Sequence, residues 1–461
     1  MQYGLRTGAT HHENVGVIVL HPRYRQTCRV CGSTTLTPVI DLGAQYLQGS
    51  FVKEGTLMPP RRKLATQLVR CDVTQNENGC GLLQLAHSFP PEILYANYWY
   101  RSGTNETMRN HLAGIVESAM SLVGAKSPTV LDIGCNDGTL LSCYPKGARR
   151  FGVDPSDIAN EIGGDVTVVN TIFPSQQATA KLPEGEFDVV TSIAMFYDLE
   201  NPTEFASEIR RLLKHDGIWI FEVSYLPLML LQNSFDTICH EHLEYYGLFV
   251  LERIAQLAGL RIFKVQINDI NGGSIRCYAC HGSNNEYGTA EDQAFIHRLR
   301  IREFEAELDT DKPYFEFQER INKARNDLNS LLFDIRARGE RIHIYGASTK
   351  GNVLLQWYGI NRVMVDCAAD RNPQKVGSRT LGTDIPIVSE QESRAAKPDY
   401  YLVLPWHFRR EFLERERETI MAGTKMIFPL PKVDVVSRDN FDAAYSQASS
   451  GADALQNLLF A

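Results

Sequence analysis

Long apolar runs are missing from this chain. No stretch of the 461 residues approaches a membrane span. Its one apolar run near the start, residues 15–20 (VGVIVL), is too brief for a secretory h-region and lacks a small-residue cleavage site, so a cytoplasmic protein is expected. A surplus of positive charge is missing too. With 47 Lys and Arg against 55 Asp and Glu the formal net charge is -8, which argues against a nucleic-acid surface and leaves any anionic ligand to local positive groups. There is no internal repeat and no long low-complexity tract. Ten cysteines in a chain this long do not make a disulfide framework, and in a reducing compartment clustered thiols read as metal ligands. What is present is ordinary for a soluble globular protein: 43% hydrophobic and 22% charged residues, with room for about three domains at roughly 150 residues each.

Residues 1 to 94 are rich in Cys, Gly and Pro with little periodicity, as a small metal-clipped module with a poor core would be. From Thr129 apolar runs alternate with helical stretches (TVLDIG, RRFGVDPS, FDVVTSIAMF, GIWIFEVS), the pattern of a sheet covered on both faces. Phe317, Ile321, Ala324, Leu328, Leu331 and Ile335 keep helical spacing, with Gly339 placed to end a long connecting helix. A second alternating set follows (RIHIYGA, VMVDCAAD, DYYLVLPW, KMIFPLP), predicting another α/β domain. The last twenty or so residues carry no recognisable chemistry.

The turn L-D-I-G-C-N-D-G, with Asp132, Gly134, Asn136 and Gly138, follows a strand. Glycines there let a ligand approach the backbone, and the next strand ends in Asp154-Pro155, where a carboxylate can accept both ribose hydroxyls. This is not GxGxxG. The D-x-G-x-x-x-G spacing with a strand-terminal Asp is the S-adenosylmethionine version, weighed against a plain structural turn. Cys28 and Cys31 form a CxxC, and Cys71 and Cys80 a wider pair; four thiolates from two turns are what a closed, structural tetrahedral zinc site needs. Cys135, Cys143, Cys277, Cys280 and Cys367 read as packed small hydrophobes.

The stretch TICHEHLEYY invites a zinc reading, but His240 and His242 are two apart, not four, and would diverge on a helix. A solvated helix end is the bland alternative. The other is a near-neutral base with a carboxylate to orient it, suited to proton abstraction. G-A-S-T-K-G-N (346–352) follows a strand and opens a helix, so its amides and Lys350 are placed for phosphate, although it is not a Walker A loop and a plain turn is an equal reading.

Taken in order, these features resemble the nucleotide-sugar C-methyltransferases, which methylate a carbon of 4-keto-deoxysugars. The likeness runs over about residues 26 to 435 and includes FDTICHEHLEYYGL, NGGSIR, IYGASTKGNVLLQWYGI, DRNPQKVG and LVLPWHF. It implies an α/β fold with a Rossmann-like class I methyltransferase domain, a small N-terminal zinc-binding module and a second C-terminal α/β domain. The expected boundaries are 1–94 for the zinc module, 95–285 for the donor domain, 286–440 for the domain binding the sugar nucleotide, and 441–461 for a tail. It implies His242 as the base, Glu241 as the neighbouring sugar contact and His240 as structural. Tyr100 joins them as a catalytic group, with Tyr98 and Ser102 at the donor beside Asp132, Gly134, Asn136, Gly138, Asp154 and Pro155. Asn271, Arg276, Ser348, Lys350, Asn352 and Trp406 would bind the substrate. The cofactors implied are S-adenosylmethionine and a structural zinc held by Cys28, Cys31, Cys71 and Cys80. The partner is a small-molecule nucleotide sugar, with no nucleic acid and no membrane, and a monomer is expected. The reaction implied is methyl transfer to the carbon alpha to the ketone, carbon-3, of an NDP-4-keto-deoxysugar through an enolate. A non-sugar keto acceptor and an inactive binding protein are the alternatives. The chain departs from the family where Cys239 replaces the usual tyrosine, where AMFYDLENP lacks a histidine, and where the second cysteine pair carries an insertion.

Overall fold

Residues 22–55, 62–89, 94, 101–448 and 452–461 are described by the computed structural model. The expectations placed on residues 15–20, Tyr98 and Tyr100 lie outside them. The cysteine-rich segment contains three strands, β1 (Leu36–Gln45), β2 (Leu64–Cys71) and β3 (Leu83–Leu85), in an antiparallel sheet. Its fourth strand, Glu244–Tyr245, comes from just beyond the two histidines and pairs with β3. The expected poor core is corrected here: Leu64, Leu68, Leu83 and Leu85 are buried, and they pack in one cluster with side chains of the C-terminal half. Sequence periodicity hid this because the module borrows its core from distant segments.

Helix α1 (Glu106–Val123) starts where the Asn105 side chain accepts from the Thr107 amide and stops at Gly124, whose φ of 62° suits a left-handed cap. It buries Leu112, Ile115, Val116 and Ala119 against a seven-stranded sheet. The parallel strands are β4 (Thr129–Ile133), β5 (Arg149–Val153), β6 (Val166–Val169), β7 (Phe187–Ile193) and β8 (Leu213–Ser224). After helix α2 (Leu226–Leu231), β9 (Leu260–Asn268) and β10 (Ser274–His281) close the edge antiparallel. The order β9-β10-β8-β7-β4-β5-β6 reverses direction beside β4, and in such sheets a ligand crevice opens outside the carboxyl ends at that switch point.

Helix α3 (Lys312–Ala337) is the long connector, ended by Arg338 and a left-handed Gly339. Leu332 is fully buried on its inner face, while Leu331 packs at the margin. A six-stranded sheet follows, built from β11 (Ile342–Tyr345), β12 (Cys367–Asp370), β13 (Ile387–Ser389), β14 (Tyr400–Val403), β15 (Lys425–Phe428) and β16 (Asp434–Val436). Its order, β13-β12-β11-β14-β15-β16, puts a second switch point at β11 and β14. Helix α4 (Thr349–Tyr358) leaves β11, capped by the Ser348 hydroxyl accepting from the Gly351 amide at 3.0 Å. The tail ends in a helix, Ala452–Phe460, that returns to the seven-stranded sheet: Leu459 is buried there and its carbonyl accepts from Arg302 at 2.6 Å. Among the described residues no helix is long and apolar enough to cross a membrane.

Candidate active site

The two switch points face one cavity of about 770 Å³, lined from all three parts of the chain. At one end β4 delivers Asp132, Gly134 and Asn136, and β5 delivers Asp154 and Pro155. Gly134 takes φ 75°, and a Cβ there would stand 3.0 Å from Met195 Cγ, so both the backbone angle and the space favour glycine in this turn. Asp154 is fixed by three donors: the Asn136 amide (2.9 Å), the Ser156 amide (2.8 Å) and the Ser156 hydroxyl (2.5 Å). Asp132 accepts from the Thr191 hydroxyl at 2.6 Å; burial, with the nearby charge of Asp154, pushes its carboxyl up to about 7. Ser102 is tied to the same turn, its amide donating to Asn136 Oδ1 at 3.0 Å. Gly138 stands behind the cavity wall as the left-handed residue that starts the next helix.

The two histidines of TICHEHLEYY do point apart. His240 is 1% exposed and turns to the N-terminal sheet, its Nε2 at 3.3 Å from both the Leu64 carbonyl and the Thr66 hydroxyl. His242 lines the cavity. Its Nδ1 is 2.7 Å from the Thr237 carbonyl, an oxygen that can only accept, so Nδ1 carries the proton and the Nε2 lone pair is left. The Nε2 atom has no hydrogen-bond partner among the described residues. Burial, then the positive charge of Lys350, lowers the imidazole to about 4, so it is neutral at neutral pH. Glu241 also lines the cavity, and burial raises its carboxyl to about 7. Gly49 abuts it: a Cβ at Gly49 would lie 2.2 Å from Glu241 Oε1. Nothing in the sequence around Gly49 signals this contact, since the two residues are joined only by the fold. Cys239, also on the wall, has its thiol pushed well up by burial and then by the charge of Glu241.

On the C-terminal side Ser348, Lys350 and Asn271 reach the cavity. Lys350 is held low by burial, partly offset by Asp236, and its Nζ donates to the Asn271 carbonyl at 2.8 Å. Three expected substrate contacts lie elsewhere. Arg276 is behind the wall, bonded through Nε to the buried Glu222 carboxylate at 2.8 Å. The Asn352 amide is used up on the Gln48 carbonyl at 2.6 Å, and the Trp406 indole on Asp236 at 2.9 Å. Sequence reasoning missed Tyr197, whose ring lies 4.4 Å from that of His242, and His407, the residue after Trp406, which lines the cavity.

Away from the cavity, the sulfurs of Cys28, Cys31, Cys71 and Cys80 lie within 4.8 Å of one another. A zinc ion with bonds of about 2.3 Å needs sulfurs about 3.8 Å apart, and the 3.4 Å Cys28–Cys80 and 3.5 Å Cys31–Cys71 separations fit it. The insertion between the second pair does not prevent this: Asp72 folds the loop back by accepting from the Thr74 amide and hydroxyl at 2.8 and 2.7 Å and from the Gln75 side chain at 2.8 Å. Between the first pair, Arg29 reaches inward to the Gln84 side chain, the Leu85 carbonyl and Glu244, the last at 3.6 Å. The knuckle is thus bonded to the strand that begins two residues after His242.

Comparison with known proteins follows the same division. Residues 28–95 match a family described as "Putative zinc binding domain", 105–265 a "Methyltransferase domain", and 269–431 the "C-methyltransferase C-terminal domain". C-methyltransferase NovU of Streptomyces niveus is 27% identical over 425 residues, covering 90% of this chain and 97% of its own. A Haloferax volcanii methyltransferase solved in complex with the activator Trm112 is 18% identical over 39% of this chain and 94% of that one, with a TM-score of 0.33. An S-adenosylmethionine-dependent methyltransferase of Mesorhizobium loti is 13% identical over 36% and 95%, with a TM-score of 0.30. Three consecutive matches, a relative similar over 90% of this chain and a four-thiolate cluster where the first match lies agree on a C-methyltransferase, with the Asp132–Gly138 turn placed to hold S-adenosylmethionine and four cysteines placed to hold a structural zinc.

Proposed function

We propose that this enzyme methylates the carbon alpha to the ketone, carbon-3, of an NDP-4-keto-deoxysugar through an enolate that His242 generates. The observation that carries this is the tautomer of His242: a neutral imidazole, its Nδ1–H spent on a main-chain carbonyl, offering Nε2 to a cavity that also holds the donor motif. A carbon beside a ketone loses its proton only when base and enolate stabilisation act together. Nε2 takes the proton, and the C–H electron pair passes into the enolate. S-adenosylmethionine supplies the methyl, whose carbon accepts that pair as its bond to sulfur breaks and a thioether is left. The imidazolium then returns its proton to water.

The remaining parts of the site divide accordingly. Asp132, Gly134, Asn136, Asp154, Pro155 and Ser102 hold the donor, Asp154 taking the ribose. Glu241 contacts the sugar beside the reacting carbon. Lys350, with the amides opening α4, faces the diphosphate; its cation beside a neutral base suits an anionic acceptor, which would also offset the positive charge that, after burial, lowers His242. Arg276, Asn352 and Trp406 support the site from behind. In this reading residues 1–94 are the zinc module, 95–285 the donor domain, 286–440 the acceptor domain and 441–461 a tail.

The test is incubation of purified protein with S-adenosylmethionine and a panel of NDP-4-keto-deoxysugars, followed by mass spectrometry. A product heavier by one methylene unit is expected. Donor binding without any methylated sugar would end the proposal.

A further inference from the structure

The carbonyl that fixes the His242 tautomer belongs to a single 3-10 turn, Phe235–Thr237, in which every residue is buried. The side chains that grip this turn come from the C-terminal α/β half. Asp236, 1% exposed, accepts from Trp406 Nε1 at 2.9 Å, and Trp406 stands just beyond the end of β14. Phe235 meets the ring of Tyr358, at the end of α4, edge-on at 5.5 Å. The other Asp236 oxygen, Oδ1, makes no hydrogen bond among the described residues, which leaves the indole as its bonded partner, with Lys350 as the neighbouring cation.

We infer that Trp406 and Asp236 form a latch by which the C-terminal domain sets the orientation of His242, so that both are positioning residues. The inference rests on the proposed role of His242. Without the indole the Asp236 carboxylate is free to turn, the 3-10 turn loosens, and the Thr237 carbonyl no longer holds Nδ1 in one place. The imidazole then samples both tautomers, and Nε2 is aimed at the acceptor carbon only part of the time. An error of about 1 Å at a reacting group costs on the order of 100-fold in rate, even when the change lies away from the chemistry.

Three full-length, zinc-loaded variants test it: Trp406→Phe, Asp236→Ala and Asp236→Asn. The asparagine keeps a carbonyl oxygen for the indole to donate to. Trp406→Phe and Asp236→Ala are expected to lower kcat by about 10- to 100-fold with donor Kd within a few fold of wild type, while Asp236→Asn retains most of its kcat. Independently of any acceptor, nitrogen-15 imidazole spectra, with His242 assigned through His242→Gln, are expected to show one Nδ1–H tautomer in the wild type and in Asp236→Asn, and mixed tautomers in the other two. Folded Trp406→Phe with a single His242 tautomer and undiminished kcat would overturn the latch, as would an asparagine variant as impaired as the alanine. If the tautomer result holds but no keto-sugar is methylated, the latch stands and the proposed acceptor falls.

Discussion

Gly49 gives the sharpest handle on Glu241. Its substitution by alanine would place a Cβ 2.2 Å from Glu241 Oε1 and 3.3 Å from the carboxyl carbon. Carbon and oxygen in contact need about 3.2 Å, so the carboxylate must retreat by about 1 Å, comparable with the misplacement that costs on the order of 100-fold in rate. That is about 2.7 kcal/mol of barrier. Because the atom displaced is the far end of a flexible side chain, the fold itself should be little affected. Steady-state methylation of an NDP-4-keto-deoxysugar, with donor affinity by calorimetry and Tm by differential scanning, separates the two effects. Gly49→Ala should lose about 100-fold in kcat with Tm and donor Kd near wild type. On a Glu241→Ala background the same substitution should cost almost nothing more, since the clash has been removed. A single variant with wild-type kcat, or full additivity of the pair, would refute the reasoning.

Other outcomes follow from the same geometry. The base must be neutral to act, and burial lowers His242 to about 4, so its own acid limb in kcat/KM should lie toward pH 4, below any limb from Glu241 or Asp132, which burial raises to about 7; an acid limb centred near 6.5 that persists in both Glu241→Gln and Asp132→Asn would show that the ring is solvated. His240 is buried neutral, lowered to about 4, whereas an unfolded imidazole titrates near 6.5. Below 6.5 the unfolded chain therefore binds the extra proton, and His240 alone should take about 3 kcal/mol from stability between pH 6.5 and 4, a share of the slope that His240→Gln should remove in urea titrations. Metal analysis should find one zinc per chain, and Cys31→Ser should reduce both zinc content and Tm. Arg29→Ala leaves the Glu244 carboxylate buried without its cation, a loss of about 3 to 5 kcal/mol that chemical denaturation would reveal; an unchanged midpoint would mean that the pair is dispensable.

Much of this was legible in the sequence where the signal is local. The two alternating sets became two sheets because a strand buried on both faces must be apolar throughout, and the D-x-G-x-x-x-G turn is readable because its glycines answer to backbone geometry alone. The cysteine pairs were readable because thiolate chemistry admits few partners. What stayed hidden is what the fold brings together from afar. Glu244–Tyr245 completes the N-terminal sheet from about 160 residues downstream of β3, and no periodicity marks so short a strand. Arg276, Asn352 and Trp406 carry side chains suited to a ligand, yet each is spent on a partner that only tertiary contact supplies: Glu222, Gln48 and Asp236. Gly49 stands in no motif, and its importance comes from a carboxylate nearly two hundred residues away.

Proton removal by His242 can be measured apart from methyl transfer. In deuterium oxide, with S-adenosylhomocysteine in place of the donor, wild-type enzyme should wash deuterium into one carbon beside the ketone of the bound keto-sugar, as followed by NMR. His242→Gln, folded and binding S-adenosylhomocysteine normally, should show no exchange above the uncatalysed rate. Exchange by that variant at the wild-type rate would place the base elsewhere.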